Sequence, residues 1–243
     1  MTRNKKVVLV GLSGCSSSGK TTIAKLTSNL IDRSILIHED DFFKHDDQIP
    51  INPKYNIANW DSPEALDLSL FSKELDHIRK TGQTKTELIH NNNVDDLDKF
   101  QINPSILDQI RLKYSNIDSN LRIVIADGFM LFNDDDIRSK FDIKLLIRAP
   151  YEQLKKRRAA RNGYQTLDSF WVDPPYYFDE FVYKSYSDTH GPLFINNDVE
   201  GQLDPIRSSD IKDFMNSDDV SIDNTLEWVC NQIVASCQQL SQE

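Results

Sequence analysis

A glycine-rich stretch near the amino terminus has the residue types and spacing of a phosphate-binding loop. Residues 14–21 read Gly-Cys-Ser-Ser-Ser-Gly-Lys-Thr and fit the pattern G-x-x-x-x-G-K-S/T. Glycines let such a loop aim successive backbone N–H groups at one anion, and the following helix adds its positive end. Lys20 can reach the β- and γ-phosphates of ATP, and the Thr21 hydroxyl can ligate Mg²⁺. The residues predicted to bind ATP here are Gly14, Cys15, Ser16, Ser17, Ser18, Gly19, Lys20, Thr21 and Thr22.

The flanking residues favour this interpretation over a Gly/Ser turn that happens to precede a lysine. The apolar run 7–12 is typical of a β-strand, while Ile23, Leu26 and Leu30 share one face of a helix. Strand, glycine loop and helix are the setting that the motif requires. Within the loop, Cys15 is either a small filler or a thiol whose pKa the helix terminus lowers, and we favour the filler.

Acidic residues follow two further apolar runs. Asp40 and Asp41 come after the run 35–38, and Asp127 follows the run 121–126. A carboxylate at a strand end can accept the proton of an attacking hydroxyl group, and it can hold Mg²⁺ directly or through water. The alternatives are an acidic loop and an Asp-Gly turn. Beside an intact phosphate loop we favour chemistry, with one of the paired acids near the loop and Asp127 at the metal.

Five basic residues crowd one short helical stretch of an acidic protein. Such a run can be a solvated helix face. The arginines also suit a lid over residues 155–175 that folds over the triphosphate, because arginine stabilises charge on a transferred phosphoryl group. The basic residues are Lys155, Lys156, Arg157, Arg158 and Arg161.

An aromatic residue and a carboxylate stand side by side at Trp60 and Asp61. Together they suit a ribosyl heteroaromatic compound, because the ring can stack on the indole while the acid accepts hydrogen bonds from sugar hydroxyl groups. A cationic pyridinium would gain further from the aromatic face. A half-buried tryptophan beside a helix-capping aspartate explains the pair equally well.

These residues need a scaffold, and the pattern of the chain predicts an α/β fold. Apolar β-like runs at 7–12, 35–38, 121–126, 143–147 and 193–195 alternate with helical patterns, which indicates a mainly parallel sheet flanked by helices. Ligands of such sheets gather at the carboxyl ends of the strands, where the phosphate loop and the acids lie. The helices are predicted to begin near Pro63, Pro150 and Pro174, with a core-packing helix at the carboxyl end.

Length and composition predict one domain, 1–243, carrying polar insertions at about 80–120 and 204–224. The formal net charge of −10 argues against sequence-independent binding of nucleic acid or of an anionic membrane. Three cysteines without C-x-x-C spacing favour a reducing, cytoplasmic setting, with the nucleus left open. No apolar stretch reaches the ~20 residues of a membrane span. We expect a monomer.

Taken together, the motifs resemble the nicotinamide riboside kinases, a group of P-loop kinases related to uridine kinases and nucleoside-monophosphate kinases. The resemblance covers about residues 5–200, with 80–120 as an insertion. The phosphate loop is common to the whole class, whereas the other segments are narrower. Those segments are His-Glu-Asp-Asp-Phe-Phe-Lys at 38–44, Asn-Trp-Asp at 59–61, Asp-Gly-Phe-Met-Leu-Phe at 127–132, Ala-Pro-Tyr at 149–151, and Arg-Arg-x-x-Arg at 157–161 with Tyr-Gln at 164–165.

The resemblance implies ATP-dependent phosphorylation of the 5′-hydroxyl group of nicotinamide riboside in NAD synthesis, with nicotinic acid riboside as a second substrate. Catalysis would fall to Asp40, as the base, and to Lys20. Mg²⁺ would be held by Thr21, Asp40 and Asp127, and Arg157 and Arg161 would serve ATP. The riboside would contact Asp40, Asp41, Phe43, Trp60, Asp61, Arg158, Tyr164 and Gln165, with Trp60 and Tyr164 flanking the pyridine ring and Asp61 on the ribose.

Three departures from the family pattern bear on these assignments. Trp60 stands where tyrosine is frequent, which keeps stacking but can shift base preference. Asn162 and Gly163 add a residue to the lid and affect the register beyond Arg161. Asp127 is shorter than the usual glutamate and leaves room for a water molecule.

Other functions stay open from the sequence. A uridine kinase or a pantothenate kinase would share the phosphate loop and the lid. A guanine-nucleotide switch would need Asn-Lys-x-Asp, which the chain does not contain. A non-catalytic regulator that binds ATP or riboside is disfavoured by the intact Lys20, Thr21, Asp40 and arginine cluster.

Overall fold

The computed structural model describes residues 6–85 and 100–240. Residues 86–99, which belong to the predicted insertion 80–120, lie outside this part of the chain. Within the described residues, no helix combines the length and apolar character needed to cross a membrane.

A five-stranded parallel sheet forms the centre of the protein and confirms the predicted fold class. Its spatial order is β2-β5-β1-β6-β9. All four strand pairings are parallel, because the strands are linked by helical crossovers. The strands are β1 (Lys6–Ser13), β2 (Ile35–His38), β5 (Leu121–Gly128), β6 (Ile143–Arg148) and β9 (Ile211–Met215).

Helices cover both faces of this sheet. The side chains of β1 alternate between the two faces, as a strand demands: Val8 and Val10 point to one core, Val7 and Leu9 to the other. The first core is closed by α1 (Lys20–Leu30), α3 (Pro104–Ser115) and α7 (Ile222–Leu240). The second is closed mainly by α2 (Leu68–Thr81), α4 (Asp135–Ser139), α5 (Tyr151–Ala159), a π-helical turn (Phe178–Tyr183) and α6 (Lys184–His190).

Strand register brings the chemistry-bearing strand ends together. Leu12 of β1 lies opposite Asp127 of β5, and on the other side of β5 the same aspartate lies opposite His38 of β2. The phosphate loop after β1 and the acids after β2 therefore leave the sheet at one edge, on either side of Asp127. The register thus places the groups of the predicted site side by side.

Two predictions about the chain after residue 190 are wrong. Residues 193–195 form no strand; Gly191–Leu193 and Ile195–Asn197 are short 3₁₀ turns, and Phe194 makes a single bridge to Leu203. The remaining strand of the five-stranded sheet is instead β9, which lies inside the stretch 204–224 that was predicted to be a polar insertion. Only Ile211 of β9 is buried, because an edge strand has one neighbour and a solvated side, so its sequence reads as polar.

The described end of the other predicted insertion is also structured. Helix α3 begins at Pro104 behind the capping side chain of Asn103, and it buries Ile110 and Tyr114 against α1 and α7. A narrow apolar face on a polar helix explains why the sequence of this stretch indicated a polar insertion.

Two small hairpins extend from the sheet on the side of the strand ends. One joins β3 (Ile51–Asn52) to β4 (Ile57–Ala58), and the other joins β7 (Tyr164–Gln165) to β8 (Phe170–Trp171). The second hairpin follows α5, so the predicted lid region at 155–175 consists of the end of a helix and a β-hairpin. Helix α2 begins at Leu68, capped by Asp67, after a 3₁₀ turn at Pro63–Ala65.

Candidate active site

The phosphate loop forms a tight turn between β1 and α1 that only glycine permits at two positions. At Gly14, with φ of +153°, a Cβ atom would lie 2.1 Å from the carbonyl oxygen of Ile147. At Gly19, with φ of +93°, it would lie 2.6 Å from Nδ2 of Asn216. The hydroxyl groups of Ser17 and Ser18 are buried and have no hydrogen-bond partner among the residues that the structure describes. Unsatisfied donors of this kind fit an anion held by the loop.

A cavity of about 350 Å³ opens beside the phosphate loop and gathers most of the predicted site. Its lining combines four groups from the phosphate loop, the carboxylates after β2 and near β4, and residues of the lid. Of the predicted site residues, the cavity is lined by Ser16, Ser17, Lys20, Thr21, Asp40, Asp41, Phe43, Trp60, Asp61, Arg158, Arg161, Tyr164 and Gln165.

Asp127 lies beneath the phosphate loop, where it binds two neighbours. Thr21 Oγ1 donates a 2.5 Å hydrogen bond to Asp127 Oδ2, and His38 Nδ1 contacts Oδ1. Burial would raise the pKa of Asp127, but the His38 and Thr21 hydrogen bonds and the charge of Lys20 outweigh it and lower that pKa. The pKa of His38 is raised because its contact with Asp127 outweighs its burial. Asp127 is therefore held as an anion next to the hydroxyl group predicted to bind the metal.

Asp40 and Asp41 follow β2 on a 3₁₀ turn, and both line the cavity. Asp40 is accessible to the solvent in the cavity, yet the walls shield it from bulk water, and this desolvation raises the pKa of its carboxyl group. Desolvation likewise raises the pKa of Asp41 to about 6. Both Asp41 oxygens are buried, and a hydrogen bond with the backbone of His38 offsets part of the rise in the Asp41 pKa. Carboxylates with raised pKa values suit proton acceptance or ligation of Mg²⁺ through water.

Arg158 joins the phosphate loop, Asp61 and the lid. Its Nη1 donates to Ser16 Oγ at 2.8 Å, and its Nη2 lies 3.3 Å from Asp61 Oδ2. From the lid side, Asp173 Oδ2 accepts from Arg158 Nε at 2.6 Å. Burial raises the pKa of Asp61, and the Arg158 charge only partly offsets this. The guanidinium group is thus fixed between the carboxylates of Asp61 and Asp173, next to the phosphate loop.

Aromatic rings line the part of the cavity away from the loop. Trp60 is in edge contact with Phe43 at 5.9 Å, and Phe43 stacks on Phe129 at 5.9 Å between ring centres. On its other side, Trp60 faces Trp171 at 6.2 Å. The backbone N–H group of Trp60 donates to the buried hydroxyl group of Tyr177 at 2.9 Å. This aromatic region can receive a flat ring while the sugar points toward Asp61 and Asp40.

The lid hairpin is fastened across the cavity to the loop after Phe43. Asp46 accepts from Thr166 Oγ1 at 3.0 Å and from Ser169 Oγ at 2.5 Å, while its own N–H group donates to Asp168 at 2.9 Å. His45 lies 3.2 Å from Asp168 on the same side. These contacts hold the hairpin tip at the cavity, which Thr166 helps to line.

Other predicted residues do not line this cavity. Arg157 forms an ion pair of 2.7 Å with Asp218 and donates to the Asn216 carbonyl group at 3.0 Å, so its service to ATP stays a prediction. The Cys15 side chain is buried, and burial raises its pKa to about 12, which makes it an inert filler. Also away from this cavity are Gly14, Ser18, Gly19 and Thr22, whose service to ATP would be through the loop backbone or the helix.

Several residues of the site were not singled out from the sequence. For Phe129 a signal was present, because it follows the end of a recognisable strand. Trp171 and Asp173 lie in a segment whose hairpin strands are two residues long, too short for periodicity to show. Asn216 Nδ2 donates to the Ser18 carbonyl oxygen at 2.8 Å from a stretch that appeared to be an insertion.

The described residues contain no cluster of three or more His, Cys, Asp or Glu side chains with metal-binding geometry. A magnesium ion at a phosphate loop takes most of its ligands from water and from the nucleotide. The Thr21 hydroxyl group with Asp127 behind it, and the Asp40 carboxylate that lines the cavity, fit that limited protein contribution.

Curated relatives agree with this arrangement. A nicotinamide riboside kinase of Saccharomyces cerevisiae is 62% identical over 237 residues, which is 97% of this chain and 99% of the relative. A nicotinamide riboside kinase of Eremothecium gossypii is 50% identical over 94% of this chain and 93% of its own length. A uridine kinase of Borrelia duttonii is 28% identical over 64% of this chain and 68% of its own length. No family model matches the chain.

The full-length similarity covers the phosphate loop, the acidic segment, the aromatic region and the lid alike. With 62% and 50% identity over nearly the whole chain, the protein belongs to the nicotinamide riboside kinase family.

Proposed function

We propose that the protein transfers the γ-phosphoryl group of ATP to the 5′-hydroxyl group of nicotinamide riboside, which gives nicotinamide mononucleotide for NAD synthesis. The observation that carries this proposal is that Lys20 and Thr21 of the phosphate loop line the same cavity as Asp40, Trp60 and Asp61. A nucleotide held by the loop and a riboside held by the aromatic region would therefore meet at Asp40.

The side chains divide the reaction between them. Lys20 and the loop N–H groups bind the β- and γ-phosphates. Asp61 accepts hydrogen bonds from the ribose hydroxyl groups, which turns the 5′-oxygen toward the γ-phosphorus. Asp40 accepts the proton of the 5′-hydroxyl group as the new O–P bond forms and the bond to the β-phosphate oxygen breaks, releasing ADP. Arg161 and Arg158 balance negative charge on the phosphoryl group in transfer.

Magnesium completes the site in this proposal. The residues that would hold it are Thr21, Asp127 and Asp40, directly or through water. When bound, the ion neutralises charge on the β- and γ-phosphates and orients them.

Nicotinic acid riboside is proposed as a second substrate, because it shares the ribose and the pyridinium ring that the site addresses. We further propose that the protein acts as a monomer in the cytoplasm. Its three cysteines are buried and form no disulfide bond with one another, which agrees with a reducing compartment.

A substrate panel tests the proposal. ADP release would be measured with nicotinamide riboside, nicotinic acid riboside, uridine and pantothenate, each with Mg²⁺ and again with a chelator. We expect the highest kcat/KM with the two pyridinium ribosides and no turnover without the metal. Preference for uridine would make the protein a uridine kinase, and binding without turnover of any substrate would make it a regulator.

A further inference from the structure

Glu39 is a buried acidic residue beside the proposed base, and the reaction described above gives it no role. Its side chain is fully buried, and it is not among the residues that line the cavity. Burying a carboxyl group costs free energy unless hydrogen bonds compensate. The hydrogen bonds of Glu39 therefore indicate what the residue does at this position.

The Glu39 carboxyl group holds the segment at the end of β5. Its Oε2 accepts a hydrogen bond from the backbone N–H group of Met130 at 2.9 Å, and the backbone of Phe129 also donates to the carboxyl group. Gly128 leaves the space for this contact, because a Cβ atom there would lie 2.4 Å from Glu39 Oε2 and 2.6 Å from Glu39 Cβ. The side chain thus contacts three consecutive residues of the neighbouring segment.

These contacts continue the pairing of β2 with β5 beyond its last register position. The two strands end side by side, with His38 opposite Asp127. Glu39 follows His38 directly, and it reaches the residues that come after Asp127. A side chain therefore joins the two segments where their backbones no longer pair.

Each of the two joined segments contributes a residue to the cavity. Asp40, the proposed base, follows Glu39 in the sequence, while Phe129 lines the same cavity from the end of β5. The Phe129 ring stacks on Phe43, another lining residue, at 5.9 Å between ring centres. The distance between the base and this wall of the cavity therefore depends on how the two segments are held together.

We propose that Glu39 is a positioning residue for phosphoryl transfer, whose carboxyl group fixes Phe129 and the chain around it relative to Asp40. This inference rests on the proposed function. The 5′-hydroxyl group must lie within hydrogen-bond reach of the base, and the walls of the cavity determine whether it does. Because Glu39 is buried away from the cavity, the position requires an acceptor oxygen at the right distance rather than a charge near the phosphates.

Steady-state kinetics of Glu39→Ala, Glu39→Gln and Glu39→Asp test the proposal. We expect Glu39→Ala to lower kcat with nicotinamide riboside by about 10- to 100-fold, because a misplacement of about 1 Å can cost that much in rate. The Kd for ATP should stay within about 2-fold, since the phosphate loop is untouched. Glutamine keeps an acceptor oxygen at the same reach and should recover most of the kcat. Aspartate keeps the charge but is one methylene group shorter, so it should resemble alanine.

Glu74→Ala is the matched control. Glu74 of α2 is also buried, and its Oε1 also accepts from a backbone N–H group, that of Lys85 at 2.7 Å, but it does not line the cavity. Urea unfolding shows what each substitution does to stability, and kinetics are compared only for folded protein. Glu74→Ala should lose stability while kcat and both KM values match those of the parent.

The order of the conservative variants separates positioning from the alternatives. A kcat of Glu39→Asp equal to or above that of Glu39→Gln would overturn the inference, because charge rather than reach would then matter. A parent-like kcat in folded Glu39→Ala would also overturn it, and if that variant does not fold, the Gln and Asp variants decide alone. Failure of the parent itself to phosphorylate nicotinamide riboside would instead overturn the proposed function.

Discussion

Thr21 Oγ1 donates a 2.5 Å hydrogen bond to Asp127 Oδ2, which joins the first turn of α1 to the end of β5. The same hydroxyl group is the one predicted to ligate Mg²⁺, so its free lone pairs are directed by the aspartate behind it. His38 holds the other carboxylate oxygen. Metal affinity in this protein should therefore depend on a residue that the cavity does not expose.

Asp127→Asn is expected to raise the Mg²⁺ concentration for half-maximal rate by about 10-fold or more, the usual cost of losing an outer partner of a metal ligand. An amide can donate toward Thr21, which would turn the hydroxyl group away from the metal. The measurement is the initial rate against free Mg²⁺. Asp32→Asn, at an exposed site after α1, is the control. A Mg²⁺ dependence equal to that of the parent would contradict a role for Asp127 at the metal.

Asp40→Asn is expected to keep ATP binding and to lower kcat by about 10² to 10⁴, the range for loss of a general base. Proton acceptance is removed, whereas the phosphate loop is untouched. Single-turnover rates with nicotinamide riboside, combined with direct titration of ATP, separate the two effects. Turnover within a few-fold of the parent would show that another group takes the proton, with Asp41 the next candidate in the cavity.

Asn216→Ala is expected to raise KM for ATP about 10-fold, equivalent to about 1.4 kcal/mol. The side chain donates to the Ser18 carbonyl oxygen at 2.8 Å and accepts from Thr225 Oγ1 at 2.9 Å, while the backbone N–H group of Asn216 donates to the Arg148 carbonyl oxygen. Loss of the side chain removes its link from the phosphate loop to the end of β9 and to α7. KM for the riboside should stay within 2-fold. Thr225→Val keeps the hydrogen bond from Asn216 to Ser18 and removes those of Thr225 Oγ1 with Asn216 and with the Ser221 carbonyl oxygen. It should have the smaller effect on KM for ATP, and a larger effect than that of Asn216→Ala would contradict the role given to Asn216.

His190 should make the protein less stable in mild acid. It is fully buried beside the Tyr186 ring, and burial lowers its pKa from 6.5 to about 4. The unfolded chain therefore takes up the proton first, so this stability is complete above pH 6.5 and declines as the pH falls toward 4. The slope is about 1.4 kcal/mol per pH unit, for a total of about 3 kcal/mol.

The comparison that isolates this effect is His190→Gln against the parent, by urea unfolding at pH 7.5 and pH 5. From the upper to the lower pH, the parent should lose about 2 kcal/mol more than the variant. Buried carboxyl groups such as Glu39, whose pKa burial raises to about 8, act in the opposite direction but equally in both proteins. The same loss in both would exclude His190 as the cause.

The site residues that belong to recognisable motifs were predictable from the sequence. A parallel sheet gathers its strand ends at one edge, so the phosphate loop, Asp40 and Asp127 had to meet once their strands were recognised. The adjacent aromatic and acidic residues Trp60 and Asp61 could also be identified from the sequence as a candidate binding pair. The phosphate loop, Asp40 and Asp127 follow from local residue patterns at the ends of apolar strands, whereas Trp60 and Asp61 follow from an aromatic residue standing next to a carboxylate.

The remainder depended on contacts that local patterns do not encode. β9 reads as polar because it is an edge strand with one buried residue, Ile211. The lid hairpin has strands of two residues, so neither Trp171 nor Asp173 shows a period. The family resemblance implied that Arg157 serves ATP, whereas its ion pair with Asp218 required knowing where the chain returns after β9.

The position of β9 limits how the protein can be shortened. Removing the residues after 205 as dispensable polar sequence would delete an edge strand of the sheet, the helix that covers one core and the asparagine that steadies the phosphate loop. The phosphate loop is thus steadied by a residue that lies 198 positions beyond Ser18 in the sequence. A variant shortened after residue 205 would keep the phosphate loop, the acidic segments and the lid arginines, yet it would lack this support and should bind ATP more weakly.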